Sequence, residues 1–351
     1  MAGENQKDGG DVVTSVDRRT FIERVGKTTI AAGIASCAPV LQPAIARAAD
    51  TLPSSPESLV KVLYESLSPM QREQVCFDWQ HQEPERGLLR TRVSNNWDVT
   101  DHYINDDFYT ADQRAMVRGI FEGLFQPEWH ERIDTQLDDD SGGFGESNSI
   151  AIFGTPGSDQ FEFVMTGRHM TVRCDGNSAD HVAFGGPIFY GHAADTFHEG
   201  PDHKGNVFWA QALEANKLYQ ALDGKQQNEA LVRRGMPREQ QVGFRGHDAR
   251  FQGIPLAELS TDQREQVQRV LRKLVEPYRQ SDRDEVTACL KAQGGLDACH
   301  LAFYQQRDIG QDGVWDNWRL EGPSFVWHYR GAPHVHVWAN VADDPSVKLN
   351  A

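Results

Sequence analysis

The chain has 351 residues and a formal net charge of −16, and 39% of its residues are apolar. This length and apolar content suffice for one large folded domain, or two smaller ones, with a buried core. Because so acidic a surface repels phosphate groups, the composition argues against nucleic acid and anionic lipid as partners.

The N-terminal 48 residues have the order of features that is typical of a twin-arginine export signal. Asp17-Arg18-Arg19-Thr20-Phe21-Ile22 precedes an uncharged, small-residue stretch over 28–46, and Ala46-Arg47-Ala48 supplies a cleavage site. The stretch is too short and too interrupted by Gly and Pro to predict a membrane span.

We therefore expect residues 17–48 to engage the twin-arginine export machinery and residues 49–351 to form the mature protein. It would act in the periplasm or cell envelope. Lipid anchoring at Cys37, which follows Ile34-Ala35-Ser36, is the alternative processing route.

Helical signals begin the mature chain. Ser55-Pro56 and Ser68-Pro69 each place a capping side chain before a proline of the first turn, and Thr110 with Gln113 forms a capping box. We predict that the first hundred residues of the mature chain are mostly helical. Helices are also predicted over 208–222, 226–234 and 261–278.

The helical pattern stops at 138–143, an Asp-Asp-Asp-Ser-Gly-Gly stretch. We interpret it as a solvated turn, because it lacks the alternating spacing of a calcium loop. Strands are predicted over 149–153, 160–165, 169–173, 318–321, 324–330 and 334–340. In the strand 324–330, Phe325, Trp327 and Tyr329 should face the core. The predicted fold class is α+β, with helical segments and antiparallel hairpins.

Two nine-residue segments indicate an internal repeat. Residues 67–75 and 259–267 agree at seven of nine positions. The mature chain would then be one α+β domain with two related halves, about 55–225 and 255–345, packed around a pseudo-twofold axis. The competing explanation is that helix caps converge on Ser-x-x-Gln for physical reasons. If the repeat is real, His169 and His334 should come together.

Four cysteines follow the signal: Cys76, Cys174, Cys289 and Cys299. An exported location permits a local disulfide between Cys289 and Cys299, which bracket a glycine turn. Folding in the reducing cytosol before export favours free thiols instead, so both states remain open. No Cys-x-x-Cys pair is present, which argues against a thiolate zinc site.

Histidines supply the best candidate for chemistry. His334 and His336 are two residues apart on a predicted strand and so share one face, and His169 follows a similar hairpin. The favoured ligand set is His169, His334 and His336, with His192 or His328 as a fourth ligand. Imidazoles suit zinc or copper, and three with an open position suit a catalytic centre. The alternative is a packed, hydrogen-bonded pair without metal.

Other chemistries have weaker signals. The chain lacks a Gly-x-Ser-x-Gly elbow, a phosphate-binding loop and a dinucleotide fingerprint. The segment 198–203 begins and ends with His, but its Gly and Pro forbid the helix of a zinc-protease motif. Glu199 and Glu321 are the carboxylates that we would test as a proton acceptor.

The order of several short motifs resembles the bacterial family called domain of unknown function 3500, from about Leu59 to Asp344. The motifs are Ile152-Phe153-Gly154-Thr155-Pro156, Gly167-Arg168-His169, Phe184-Gly185-Gly186-Pro187, Trp318-Arg319-Leu320-Glu321-Gly322-Pro323 and His334-Val335-His336. The family typically has Gly-His-His where this chain has Gly-Arg-His, so only His169 carries over. The resemblance implies an envelope location and supports the three-histidine set, but it implies no reaction.

Three hypotheses follow. An exported metalloenzyme should have an open coordination position beside a proton acceptor. A binding or carrier protein would hold a metal or small ligand without turnover. A structural polar cluster would have buried imidazoles, each hydrogen-bonded to protein.

Overall fold

The computed structural model describes residues 55–176, 181–192, 203–310 and 312–350. The predicted export signal, Cys37 and Glu199 lie outside these residues. In the described parts of the chain, no helix is long and apolar enough to cross a membrane.

Eight α-helices occur in the described residues. They are α1 (Pro56–Ser66), α2 (Pro69–Val75), α3 (Ala111–Leu124), α4 (Pro127–Ser141), α5 (Trp209–Ala221), α6 (Gly224–Ala230), α7 (Thr261–Val275) and α8 (Gln280–Ala292). Four of them begin at complete capping boxes, in which the N-cap side chain and a glutamine three residues later satisfy each other's backbone N–H groups. The N-cap residues are Ser68, Thr110, Asp223 and Ser260.

Thirteen strands are present in the same residues. They are β1 (Cys76–Phe77), β2 (Gln82–Glu83), β3 (Gly87–Leu88), β4 (Asn148–Gly154), β5 (Phe161–Gly167), β6 (Met170–Cys174), β7 (Ile188–His192), β8 (Leu231–Val232), β9 (Ile254–Pro255), β10 (His300–Tyr304), β11 (Asn317–Gly322), β12 (Phe325–Arg330) and β13 (Val335–Val341). β2 and β3 form a small hairpin. The other eleven form one sheet, ordered β1-β4-β5-β6-β7-β13-β12-β11-β10-β8, with β9 beside β10.

The large sheet is antiparallel except at its two ends, where β1 runs parallel to β4 and β8 runs parallel to β10. Its two faces differ in chemistry. Phe325, Trp327 and Tyr329 pack with the helices in the main core, as predicted for this aromatic row. The opposite face carries Arg319, His328 and His336, and irregular segments cover it at 78–110 and 233–253. The helices and sheet confirm the α+β class.

Apart from the short strands β2, β3 and β9, the elements up to β7 follow the same order as the elements from α5 to β13. The series α1, α2, β1, α3, α4, β4 to β7 has the same succession as α5, α6, β8, α7, α8, β10 to β13. The two sets of strands are arranged in mirror order about the antiparallel β7–β13 pair. This arrangement favours two related halves, and it assigns α5 and α6 to the second half, whereas the predicted bounds of 55–225 and 255–345 place α5 in the first.

The nine-residue match found in the sequence joins helices that hold different places in this order. Residues 67–75 contain α2, whereas residues 259–267 begin α7. By element order the counterpart of Ser68 is Asp223, and the counterpart of Ser260 is Thr110. Capping boxes occur at four helices, which favours the explanation that the match between 67–75 and 259–267 reflects helix capping.

Several elements differ from the prediction. Residues 76–110 are largely irregular, not helical, and Leu231–Val232 ends the predicted helix 226–234 as a strand. β7, β10 and α8 were not predicted. The described cysteines are free thiols, so Cys289 and Cys299 are not joined. Burial raises the pKa of both thiols to about 12, which makes them poor nucleophiles at neutral pH.

Candidate metal centre

His169 reaches the site from a tight turn between β5 and β6. Its backbone is in the left-handed region, with φ +52°, which non-glycine residues adopt rarely. The His169 N–H donates to the carbonyl oxygen of Asn95 at 3.1 Å and to Asn96 Oδ1 at 3.2 Å, and these bonds hold the turn. Such a conformation is characteristic of functional positions, because the surrounding structure must compensate its cost.

His336 lies on β13 and His334 precedes that strand by one residue. The two-residue spacing gives both imidazoles the same direction, as the sequence predicted. β13 pairs with β12 on one side and with β7 on the other, so the strand that carries His336 lies within the sheet and not at its edge. A ligand on a central strand is rigidly positioned.

The structure brings the three predicted ligands His169, His334 and His336 together. His336 Nε2 is 3.1 Å from His169 Nε2 and 2.9 Å from His334 Nε2. One ligand atom from each ring lies within 4.8 Å of the others. Tetrahedral coordination with metal to nitrogen distances of about 2.0–2.1 Å would space the nitrogens by about 3.3–3.4 Å. A small adjustment of the rings therefore accommodates an ion.

Two carboxylates fix the rings from behind. Asp140 Oδ2 lies 2.5 Å from His169 Nδ1, and Glu239 Oε2 lies 3.0 Å from His336 Nδ1. Because an ionised carboxylate only accepts hydrogen bonds, each Nδ1 carries the proton. In a neutral imidazole with its proton on Nδ1, Nε2 keeps the lone pair that a metal ion would bind. This carboxylate, histidine and metal arrangement is the usual outer shell of metal sites.

Arginines hold these carboxylates in turn. Arg168 Nε donates to Asp140 Oδ1 at 3.1 Å, and Arg330 Nη1 donates to Glu239 Oε1 at 3.2 Å. Burial raises the pKa of Asp140, but the hydrogen bond from His169 and the ion pair with Arg168 outweigh burial and hold that pKa below its usual value. The pKa of Glu239 is lowered against burial in the same way, through His336 and Arg330. Both groups are therefore anionic at neutral pH.

Burial and nearby positive groups disfavour charging of two of the imidazoles. Burial, followed by His336 and Arg330, lowers the pKa of His334 to about 3. Burial is also the largest influence on His336, whose pKa falls to about 4. Neutral imidazole is the form that binds metal. The three close Nε2 atoms thus form a candidate metal site.

His328 does not join the cluster. It is fully buried on β12, where its Nδ1 lies 3.1 Å from Arg319 Nε. Because a guanidinium only donates, Nδ1 is the acceptor and the proton resides on Nε2. His328 is therefore oriented by Arg319 and not by the three histidines.

His192 belongs to a second group, with Asp139 and His203. His192 Nε2 lies 3.4 Å from Asp139 Oδ2, and His203 Nδ1 lies 3.7 Å from the same oxygen. One ligand atom of each of the three residues lies within 4.8 Å of the others. Gly205 packs so closely here that a Cβ would lie 2.6 Å from His192 Cε1. Asp139 thus belongs to the second group, and the next residue, Asp140, orients His169 of the first group.

The candidate proton acceptors lie elsewhere. Glu199 is outside the described residues. Glu321 is level with Asn340 across the sheet, four residues from His336 along β13 and two strands away. That register corresponds to about 13 Å along the strands and about 10 Å across them. Glu321 instead pairs with Arg319 at 3.5 Å and Arg245 at 3.6 Å.

Sequence reasoning missed both carboxylates that orient the ligands. Asp140 was assigned to a solvated turn, but it lies in the last turn of α4 and is only 8% exposed. The only sequence feature that pointed to a role for Asp140 was its position near a helix end, where the chain returns toward the sheet. Glu239 lies in the irregular segment 233–253, where no periodic pattern distinguishes it from its neighbours.

Fold and site together define an α+β protein whose central sheet carries a carboxylate-supported cluster of three histidines. Residues 55–341 match the family described as Protein of unknown function (DUF3500), so the chain belongs to this family, as the motifs indicated. Comparison with curated proteins and with solved structures gave no match.

Proposed function

We propose that the protein is an exported metalloprotein whose His169, His334 and His336 bind one divalent transition metal ion. One observation carries the proposal: three Nε2 atoms converge, since His336 Nε2 lies 3.1 Å from His169 Nε2 and 2.9 Å from His334 Nε2, while carboxylates engage the Nδ1 atoms of His169 and His336. Three imidazole nitrogens around one point, two of them supported by carboxylates, are the arrangement that metal-binding histidines usually have.

Zinc is the favoured ion, with copper as the alternative from the same imidazole chemistry. An ion held by His169, His334 and His336 would have a fourth position open to water and would supply Lewis-acid chemistry there. His334 is the only one of the three ligands that is not buried, so this position would open on its side. We propose that the centre activates water for hydrolysis or hydration of a small molecule.

A non-catalytic metal-binding protein is the second candidate. His169 and His336 are only 2% and 3% exposed. This burial favours the binding protein, because a buried ion exchanges slowly and is poorly accessible to a substrate. If the metal-bound protein hydrolyses model esters and loses this activity when the metal is removed, the enzyme is favoured. Metal retention without any such turnover would favour the binding protein.

Export through the twin-arginine pathway is part of the proposal and is supported by Arg18-Arg19 and the stretch that follows them. This route carries folded proteins, so the metal would be bound before export. An Arg18→Lys, Arg19→Lys variant should accumulate in the cytosol. Equal export of this variant and the wild type would contradict the proposal. The mass of the exported wild-type protein would show whether processing occurs after Ala48 or at Cys37.

The test of the metal centre is elemental analysis of the mature protein, purified after native export and without an affinity tag. We expect a near-stoichiometric transition metal in the wild type and its loss in a His334→Ala, His336→Ala variant. His247→Ala, which changes an exposed histidine, is the matched control. Metal lost in His203→Ala but kept in the double variant would place the ion in the second group and contradict the assignment.

A further inference from the structure

A cleft of about 350 Å³ adjoins the metal centre on the side of Glu239. It lies between the segment 233–253 and the ends of strands β10 and β12. Glu239 connects the two sites, because one of its oxygens meets His336 and the other meets Arg330. The charged and aromatic residues that line the cleft are Arg238, Glu239, Arg307, His328 and Arg330.

The charge of this lining is positive. Arg238, Arg307 and Arg330 supply three guanidinium groups, and Glu239 is the one carboxylate among the lining residues. Glu239 is already engaged by Arg330 and by His336. Arg238 and Arg307 are exposed, and neither side chain has an ion pair within the described residues. The cleft thus has an excess of cations inside a chain of strongly negative total charge.

Two residues of the lining, His328 and Arg330, also carry buried donors. His328 carries its proton on Nε2, because Nδ1 accepts from Arg319. Within the described residues, neither His328 Nε2 nor Arg330 Nε has a hydrogen-bond partner, although both atoms are buried. A buried donor without a partner destabilises the folded protein. A ligand that supplies the acceptor is one explanation for such donors.

We propose that this cleft binds an oxyanion, a carboxylate or phosphate group, through His328, Arg330 and the flanking Arg238 and Arg307. All four side chains offer donors, and bidentate recognition of carboxylate and phosphate is the characteristic chemistry of arginine. A neutral ligand would leave the guanidinium charges uncompensated.

The position of the cleft gives the anion a role. Between the metal position and Arg330 stand one imidazole ring and one carboxylate, a path of about 13 Å when the bond lengths and the hydrogen bonds are added. The anion would therefore be a remote group of the substrate, used for positioning and not for reaction. This role rests on the proposed metal centre, whereas binding of the anion does not.

The experiment uses metal-free full-length mature protein, so that the outcome is independent of the metal. Phosphate and acetate are titrated by calorimetry and by thermal unfolding, each against chloride at equal ionic strength. We expect saturable binding of at least one oxyanion and a rise in Tm. Selective binding of acetate or of phosphate would show which oxyanion the cleft takes.

Arg307→Ala should weaken this binding at least tenfold. Arg234→Ala removes the same charge from an exposed residue outside the cleft and should leave binding unchanged, which separates recognition from net charge. Equal binding by Arg307→Ala and wild type, or no effect beyond that of chloride, would overturn the proposal. Binding by a protein that never retains metal would leave the oxyanion cleft standing while the metal centre fails.

Discussion

At the scale of single residues, His169 is the ligand whose backbone is least favourable, with φ +52°. Glycine adopts this conformation without the penalty that a Cβ incurs, which amounts to about 1 kcal/mol. His169→Gly and His169→Ala both remove the imidazole and its bond to Asp140, so the difference between them isolates the backbone.

We therefore expect metal-free His169→Gly to be more stable than His169→Ala by about 1 kcal/mol, while both lose metal binding. Urea unfolding and metal titration measure the two quantities. If the alanine variant equals the glycine variant in stability, the left-handed turn is not the conformation that presents this ligand.

Asp140 has no contact with the ion in the proposed centre, yet it fixes the ring of His169. Asp140→Asn should lower metal affinity by 10–100-fold, because the amide holds the tautomer of the imidazole less well than the carboxylate does. A competition titration with a chromogenic chelator measures the change. Asp138→Asn alters an exposed carboxylate in the same helix and serves as the control. Equal affinities in the two variants would show that the Asp140 contact does not tune the metal.

At the scale of elements, helix N-termini are joined in pairs by their capping glutamines. Gln71 Nε2 donates to Gln113 Oε1 at 2.9 Å, and Gln226 Nε2 donates to Gln263 Oε1 at 3.1 Å. The first pair connects α2 with α3 and the second connects α6 with α7, which are counterparts in the element order. This shared detail is a strong support for two related halves.

A double-mutant cycle tests the first pair. Gln71→Ala and Gln113→Ala should each destabilise the protein, and together they should destabilise it by less than the sum, with a coupling of about 1 kcal/mol or more. Each single change leaves the other buried amide without its partner. The more exposed pair Gln226 and Gln263 should show a smaller coupling in chemical unfolding. Additive effects at both pairs would contradict a direct interaction between the caps.

The elements that the sequence predicted are those with local signals. Capping residues located helix starts, and alternation located the strands that carry Trp327 and His336. The strand β7 was missed because all five of its residues are buried and its sequence, Ile-Phe-Tyr-Gly-His, lacks alternation. Glu239 was missed because its role depends on contact with His336, which is 97 residues away. Such contacts are set by tertiary packing, which local patterns do not encode.

At the scale of the whole molecule, the metal centre lies at the junction of the two sets of strands, since His336 pairs with Gly191 across β13 and β7. A site at such a junction draws residues from both sides, and here His169 comes from the first half while His334 and His336 come from the second. Only the complete sheet therefore assembles the three ligands.

Global stability should also depend on pH through Glu285. Burial, together with Asp175 and Asp282, raises the pKa of Glu285 to about 7 from a usual value of 4.5. Between these values the folded protein keeps a proton that the unfolded chain has lost, so stability falls as pH rises through this window. The full effect, present above pH 7, is at most about 3 kcal/mol.

Glu285→Gln should consequently be more stable than wild type at pH 8, with a smaller difference at pH 5. The glutamine carbonyl can still accept the N–H of Phe184, which donates to Glu285 at 3.1 Å. Unfolding free energies at the two pH values measure the effect, and the exposed neighbour Asp284→Asn is the control. A difference that does not grow with pH would show that Glu285 is ionised in the folded protein.

The central claim, a metal ion held by three histidines, is tested most directly by crystal diffraction at the absorption edge of the metal that the exported protein contains. The account predicts one anomalous peak about 2.0–2.1 Å from the Nε2 atoms of His169, His334 and His336. Well-ordered imidazoles with no anomalous peak between them, in crystals of protein that contains metal, would contradict it.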